Sequence, residues 1–174
     1  PILVVDQPPT ISSTGGPYSI VEGASFTLDA VAEEPGAANS NGLEFTWQLI
    51  VDGAAKPLAN QAQKEITWQT LRGLGVGRAP AVYELRLVVN ETGAVNQVAA
   101  VTTLQVMNAP PSVTINDPAS GLVEGTPVTL TATASDPGSD DPGTLAFTWR
   151  VTRGGTRLPV ESHQPQLTFL PPQD

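Results

Sequence analysis

The sequence predicts an all-β fold built from tandem β-sandwich modules, and two observations support this prediction. Three separate stretches of the sequence recur at one constant separation of 102 residues. The regularly patterned stretches alternate apolar and polar residues, which is typical of half-buried β-strands. No window shows the 3.6-residue periodicity of an amphipathic helix. We therefore expect strands connected by turns along the whole chain.

The internal repeat defines the size of the module. Segment 21–30 recurs as 123–132, segment 43–47 as 145–149, and segment 6–9 as 108–111. Three ungapped matches at one offset indicate a duplicated module. Its length is too great for a solenoid repeat and fits one β-sandwich of about 100 residues. Each Pro-Pro pair (residues 8–9 and 110–111) lies at a junction, where proline favours a short, stiff, extended linker.

Four segments of the first module carry the strand pattern. Apolar positions alternate over 26–32, 43–49 and 83–89, and a fourth β-rich run covers 99–106. The alternation in the second segment places Phe45 and Trp47 on one face of their strand. Clusters of Pro, Gly, Asp and Asn at 34–42 and 136–143 predict turns between strands.

The repeat register also predicts the domain boundaries. Residues 1–7 align with the end of the first module and read as the last strand of a preceding module. Residues 8–108 form a complete sandwich, and 109–174 form an incomplete second module. The tripeptide 167–169 aligns with 66–68, and no counterpart of the 83–89 strand follows it. An incomplete sandwich exposes strand edges, so we expect a loosely packed module or strand exchange with a second copy in a homo-oligomer.

Composition excludes several classes of function. The 8 basic and 17 acidic residues give a net charge of −9, and no basic stripe is present, so nucleic-acid binding is not expected. The absence of cysteine excludes disulfides, thiolate metal sites and thiol nucleophiles. No stretch approaches the roughly 18 apolar residues of a membrane span, and the first residues are no signal peptide. Secretion would therefore need a targeting sequence upstream in a parent protein.

The order of the motifs resembles a known class of modules. A Pro-Pro start, a Val-Glu-Gly strand, a Pro-Gly loop, a Phe-Thr-Trp strand and a Tyr-x-Leu-x-Leu-x-Val strand follow one another. This order resembles bacterial immunoglobulin-like modules of the PKD (polycystic kidney disease) type. The resemblance implies an immunoglobulin-like sandwich in a cell-surface or secreted bacterial protein. PKD modules typically follow the tryptophan with Asp-Phe-Gly-Asp-Gly, which neither Trp47 nor Trp149 does, so the modules are PKD-like.

Catalytic residues are not predicted anywhere in the chain. His163 is the one histidine and lies in a polar loop without a second imidazole, which is unsuited to a Ser-His-Asp triad. The carboxylate pairs Glu33-Glu34 and Asp140-Asp141 fall in turns with no apolar surround that would favour acid–base chemistry. Both pairs are interpreted as solvated turn residues. The protein is predicted not to be an enzyme.

Calcium is the one candidate ligand. Asp136, Asp140 and Asp141 crowd a six-residue loop with Ser139, and Glu124 begins a neighbouring strand. Oxygen ligands at short spacing suit calcium. The alternative is an Asp-Pro-Gly turn that binds nothing, and the equivalent loop of the first module does not repeat the cluster.

The large aromatic residues other than Tyr18 are predicted to belong to the cores. Trp47 and Trp149 occupy equivalent inward positions, Trp68 matches Phe169, and Tyr83 opens a strand as a corner tyrosine would. Sugar stacking on exposed rings is therefore not expected. The Gly73–Gly77 stretch lacks the lysine of a phosphate-binding loop and is predicted to be a flexible loop. If the first module has a binding feature of its own, we expect it in this loop.

These inferences give a predicted function. The chain is interpreted as non-catalytic spacer repeats, structural or adhesive, of a large bacterial extracellular protein. These repeats would mediate protein–protein or cell-surface interaction, with an unidentified protein or glycan as ligand. Its neighbours in the array would be repeats of the same chain. The alternative is an accessory module of a secreted enzyme that degrades polysaccharide or protein.

Overall fold

A computed structural model describes residues 7–35, 42–77, 79–92, 96–116, 125–138 and 145–171. The chain divides into two compact units, Pro1–Ala109 and Pro110–Asp174, which we call unit 1 and unit 2. The described residues are strands and turns with one short helix, so the predicted all-β class is confirmed. The predicted orphan strand at 1–7 lies outside the described residues except for Gln7.

One layer of unit 1 consists of four short strands. These are β1 (Thr10–Ser13), β3 (Phe26–Asp29), β4 (Val31–Glu33) and β7 (Gln63–Ile66). β1 pairs antiparallel with β4, and β3 pairs antiparallel with β7. β3 and β4 are one stretch of chain interrupted only at Ala30, whose N–H donates to the carbonyl of Ala62 at 2.9 Å. Leu28 and Ala30 are buried between exposed neighbours, as their alternation predicts.

The other layer of unit 1 is a five-stranded sheet. In spatial order it contains β2 (Tyr18–Val21), β9 (Gln97–Met107), β8 (Ala81–Glu91), β5 (Leu43–Val51) and β6 (Ala54–Ala59). β2 runs parallel to β9, and the other neighbours are antiparallel. Inward side chains of both layers form one core, in which Trp47, Leu87 and Leu28 have no exposed surface. Unit 1 is thus an immunoglobulin-like sandwich.

β6 forms an edge of this sheet and is irregular. A two-residue turn joins β5 to β6, and its residues Asp52 and Gly53 both have positive φ, as a type I′ hairpin requires. The register shifts by one residue between the Trp47–Ala59 and Gln48–Pro57 pairs, which is a β-bulge. Pro57 has no N–H to offer to a further strand, so it is suited to an edge.

The connection between β7 and β8 contains the one helix of the described chain, α1 (Trp68–Gly73). The hydroxyl oxygen of Thr67 caps it by accepting the N–H of Thr70 at 3.2 Å. Trp68 and Leu71 are buried, and beyond the helix Val76 is buried as well. The Gly73–Gly77 stretch is therefore anchored to the core by Val76 and is not the free loop that was predicted. A six-residue helix is too short to produce a recognisable period in the sequence.

Unit 2 repeats the first layer of unit 1. β10 (Ser112–Asn116), β11 (Val128–Ser135) and β14 (Gln166–Phe169) form an antiparallel sheet in that order. β12 (Thr152–Arg153) and β13 (Thr156–Arg157) form a two-stranded ribbon. Ala132, Trp149 and Leu167 make a small buried cluster.

The pairing of β14 corrects one part of the sequence alignment. Phe169 pairs with Val128, and Ile66 pairs with Phe26, whose counterpart at the 102-residue offset is Val128. Phe169 therefore occupies the place of Ile66, and the predicted match with Trp68 is wrong. The inward alternation of Leu167 and Phe169 fixes this register, whereas Trp68 belongs to the helix.

Candidate functional site

The predicted calcium loop is described only in part. The Oδ1 atom of Asp136 accepts the N–H of Gly138 at 2.9 Å, which is an Asx turn. Asp140, Asp141 and Glu124 lie outside the described residues. Within the described ranges, no three His, Asp or Glu side chains are grouped as a metal site requires. Calcium binding at this loop stays a prediction.

Two of the other residues considered from the sequence, His163 and Glu33, lie among the described residues. His163 is exposed, and its Nδ1 lies 3.3 Å from the carbonyl oxygen of Phe147. Glu33 pairs with Thr10 at the end of the β1–β4 ladder, and its side chain is exposed. These contacts are ordinary strand and loop contacts, and they bring none of these groups to an apolar pocket.

Among the described residues of unit 1, the tyrosine whose hydroxyl makes hydrogen bonds is Tyr18, which the sequence pattern did not assign to the core. Its hydroxyl donates to the carbonyl of Thr14 at 2.7 Å and accepts the N–H of Asp29 at 3.0 Å. Its ring lies 5.0 Å from that of Phe26 between centroids. Tyr18 thus ties the crossing between β1 and β2 to the end of β3. Burial raises its phenol pKa above the ordinary value despite the Asp29 hydrogen bond.

We expect Tyr18→Phe to lower the free energy of unfolding of unit 1 by about 1–2 kcal/mol, because the Asp29 N–H loses its acceptor. Burial likewise raises the pKa of Tyr83. A phenol with a raised folded pKa holds its proton more tightly in the folded state. The contribution of such a phenol to the free energy of unfolding is complete below pH about 10. It is lost as the pH rises through the folded pKa. Urea unfolding between pH 8 and 11 should show this decline, and the decline should be shallower in Tyr18→Phe. If the free energy of unfolding fell equally steeply with pH in both proteins, the decline could not be attributed to the buried phenol of Tyr18.

The parallel pair β2–β9 joins the beginning and the end of unit 1. Its register runs from Tyr18–Leu104 to Val21–Met107. The backbone of Glu22 extends the ladder by donating its N–H to the carbonyl of Met107 at 3.0 Å. The Glu22 side chain, only 6% exposed, accepts the N–H of Ala109 through Oε2 at 3.1 Å. We call β2, Glu22, β9 and Ala109 the terminal clamp.

Unit 2 carries an open apolar groove of about 290 Å³. Its lining includes Val113, Ile115, Ala134, Leu145, Phe147 and Trp149. Val113 and Ile115 are 66% and 55% exposed although both are large and apolar.

The equivalent residues of unit 1 lie in a closed core, and the strand order of unit 1 shows why. At the 102-residue offset, Leu145, Phe147 and Trp149 correspond to residues 43, 45 and 47, all of which pack in the core of unit 1. In that core, β5 is flanked by β8, and β8 is flanked by β9. No described residue of unit 2 takes the place of β8 beside Phe147 and Trp149. The groove is therefore the part of the core that β8 and β9 close in unit 1.

Among solved structures, the chain is similar to several immunoglobulin-domain proteins at low identity. The N-terminal eight Ig domains of Down Syndrome Cell Adhesion Molecule are 15% identical (TM-score 0.41), with 99% of this chain and 20% of that chain covered. Sidekick-1 immunoglobulin domains 1–5 are 17% identical (TM-score 0.38; 95% and 31% covered). Titin domains z1z2 in complex with telethonin are 14% identical (TM-score 0.38; 95% and 81% covered).

The chain spans about a fifth of the length of the adhesion-molecule fragment. No family model matches the sequence, and no curated protein matches it. In the described part of the chain, the one helix is too short to cross a membrane.

Proposed function

We propose that the chain is a non-catalytic structural or adhesive segment of a large bacterial extracellular protein, in which immunoglobulin-like, PKD-like repeats form a spacer that carries mechanical load. The observation that carries this proposal is the terminal clamp. Its neighbours in the array are repeats of the same chain, and what the array binds would be protein or another cell-surface component.

The clamp supports this function through its geometry. Because β2 and β9 are adjacent and parallel, tension that reaches β2 from the N-terminal side and β9 from the C-terminal side pulls them in opposite directions along their length. All hydrogen bonds of the ladder are then loaded together rather than one after another. Glu22 lengthens this ladder at the end where β9 leaves the unit, because it also holds Ala109.

Glu22→Ala removes the buried carboxylate that accepts the Ala109 N–H. We expect it to lower the free energy of unfolding of unit 1 by about 2 kcal/mol, since hydrogen bonds to charged groups are among the stronger ones. Single-molecule stretching of the whole chain, held at its two ends, should show a lower unfolding force for unit 1. Glu22→Gln is the matched control, since its amide oxygen still accepts the hydrogen bond, and it should retain most of that force.

Equal unfolding forces for Glu22→Ala and the unsubstituted chain would contradict a load-bearing clamp. The domain order of the parent protein is a second test. Further copies of the module support a spacer. A catalytic domain beside these modules would support the accessory role in a secreted polysaccharide- or protein-degrading enzyme instead.

Calcium at Asp136, Asp140 and Asp141 belongs to the same proposal, as a means of stiffening unit 2. Its support is the density of carboxylates, with Asp136 already fixed by its Asx turn. At calcium tenfold above the dissociation constant, binding stabilises unit 2 by about 1.4 kcal/mol, and its melting temperature should rise. Asp136→Asn keeps the turn and removes a charge, so it should reduce the rise. An unchanged melting temperature at millimolar calcium removes the calcium site.

A further inference from the structure

We propose that the outer face of the five-stranded sheet of unit 1 binds the same face of a second copy of this chain about a two-fold axis. The outer face consists of the side chains of β2, β9, β8 and β5 that point away from the core. This contact between copies goes beyond the proposed spacer function. Its test is separate from the stretching experiment on Glu22, so either proposal can fail without the other.

The outer face carries most of the exposed large apolar side chains of unit 1. In the described part of unit 1 these are Val21, Val31, Val82, Val101 and Met107, and all except Val31 lie on this face. Val82 and Val101 are 67% and 63% exposed. Val21 is opposite Met107 in the β2–β9 pair, and Val82 lies diagonally beside Met107. Single exposed apolar side chains are ordinary, but four on one face give a surface whose burial favours association.

Two opposite charges lie next to each other at the centre of this face. Glu84 and Arg86 are exposed and point outward from β8, which is the middle strand of the sheet. Neither forms an ion pair with a described residue. Along the four fully described strands of the outer face, the one other outward charge is Glu44, near the beginning of β5. A surface with one negative and one positive group side by side is complementary to a copy of itself turned end for end.

These two charges select the orientation of the second copy. If the two-fold axis lies across the strands, midway between Glu84 and Arg86, each Glu84 lies over Arg86 of the other copy, and two ion pairs form. The same axis brings Val82 over the half-buried Val88 of the other copy, so apolar contacts flank the ion pairs on both sides. An axis along β8 would instead place Arg86 over Arg86, and like charges at that distance oppose association.

The outer face is also large enough for a specific interface. β8 and β9 have 11 residues each and are therefore about 34 Å long, and five strands are about 24 Å wide. Because the edge strands are shorter, the face covers roughly 700 Å². Specific interfaces bury about 800 Å² on each partner, and their centres contain few charged residues. Sheets that pack face to face keep their strands within about 30° of one another, which the axis across the strands allows.

The experiment measures the mass of the whole chain by sedimentation equilibrium from micromolar to millimolar concentration. The unsubstituted chain should show a monomer–dimer equilibrium. Arg86→Glu and Glu84→Arg each replace both attractive contacts by like-charge contacts, so each variant alone should dimerise roughly tenfold more weakly or worse. An equimolar mixture of the two variants restores both ion pairs and should form a heterodimer about as tightly as the unsubstituted chain. The chain that carries both substitutions should recover its dimerisation for the same reason.

Glu33→Arg is the matched control. Glu33 is exposed on β4 in the other layer, and its substitution changes the net charge by the same amount as Glu84→Arg. It should leave dimerisation unchanged. Unchanged NMR signals of the buried residues Leu28 and Trp47 establish that unit 1 is still folded in each variant.

Two outcomes overturn the proposal. One is a chain that stays monomeric at millimolar concentration. The other is dimerisation that Arg86→Glu leaves unchanged, or that the mixture of the two variants fails to restore, because the copies then meet at another surface.

Discussion

Gly15→Ala is expected to destabilise unit 1 by about 3 kcal/mol or more. Gly15 has φ of +71°, a conformation that costs an L-residue about 1–2 kcal/mol. An added Cβ would also lie 2.3 Å from the carbonyl oxygen of Asp29 and 2.6 Å from the hydroxyl oxygen of Tyr18. The first contact is with backbone, so relief requires the crossing between β1 and β2 to shift. That shift disturbs the hydrogen bonds by which Tyr18 ties this crossing to β3.

Gly53→Ala separates the two contributions to this cost. Gly53 has φ of +77° but no atom within 4 Å of the position of an added Cβ. Its substitution should cost only the conformational part, about 1 kcal/mol. Urea unfolding of both variants, followed by the resolved NMR signals of unit 1, gives the comparison. Equal losses would mean that the close approach at Gly15 has no energetic weight.

Trp47→Ala is expected to lower the free energy of unfolding of unit 1 by about 3–5 kcal/mol, because it empties the largest fully buried side-chain site. The same change at the equivalent Trp149 should cost unit 2 less. Trp149 lines the open groove, so its removal enlarges a space that is already open to solvent. Loss of the 2.8 Å hydrogen bond from its Nε1 to the carbonyl of Gln164 offsets about 1 kcal/mol of this difference. Denaturant unfolding with separate NMR signals for the two units measures both losses.

Trp47→Phe is the control for this comparison. The indole Nε1 of Trp47 is buried and has no hydrogen-bond partner among the described residues. Phenylalanine keeps most of the apolar volume and removes that unpaired donor, so the loss should be less than half of that for Trp47→Ala. A loss as large as that of alanine would contradict the view that apolar volume sets the cost at Trp47.

The strands of unit 1 were largely predictable from local patterning. Alternation over 26–32, 43–49 and 83–89 identified β3 with β4, β5 and β8 together with their inward faces. This was possible because burial on one face of a strand leaves a two-residue period in the sequence. The inward position of Trp47 followed from the same pattern.

Features set by contacts distant in sequence were not predictable. The parallel pairing of β2 with β9 leaves no trace in either strand, and Glu22 reads in the sequence as an ordinary polar residue beside a glycine. The recurrence of Val-Glu-Gly at 123–125 was the one available signal for it. Tyr18 was missed because its hydroxyl partners, Thr14 and Asp29, are set by the crossing between the layers. The groove needed the structure too, since its lining comes from three separate segments.

The irregular edge strand β6 affects how the protein behaves where many copies are crowded together. Lys56 places a charge on this edge, and Pro57 and the adjoining bulge interrupt the row of donors and acceptors that an approaching chain would need. The opposite edge, β2, offers only four residues. We therefore expect edge-to-edge stacking of unit 1 on unit 1 to be disfavoured at both borders of its larger sheet. Crowded copies of unit 1 should then resist amyloid-like growth from this sheet.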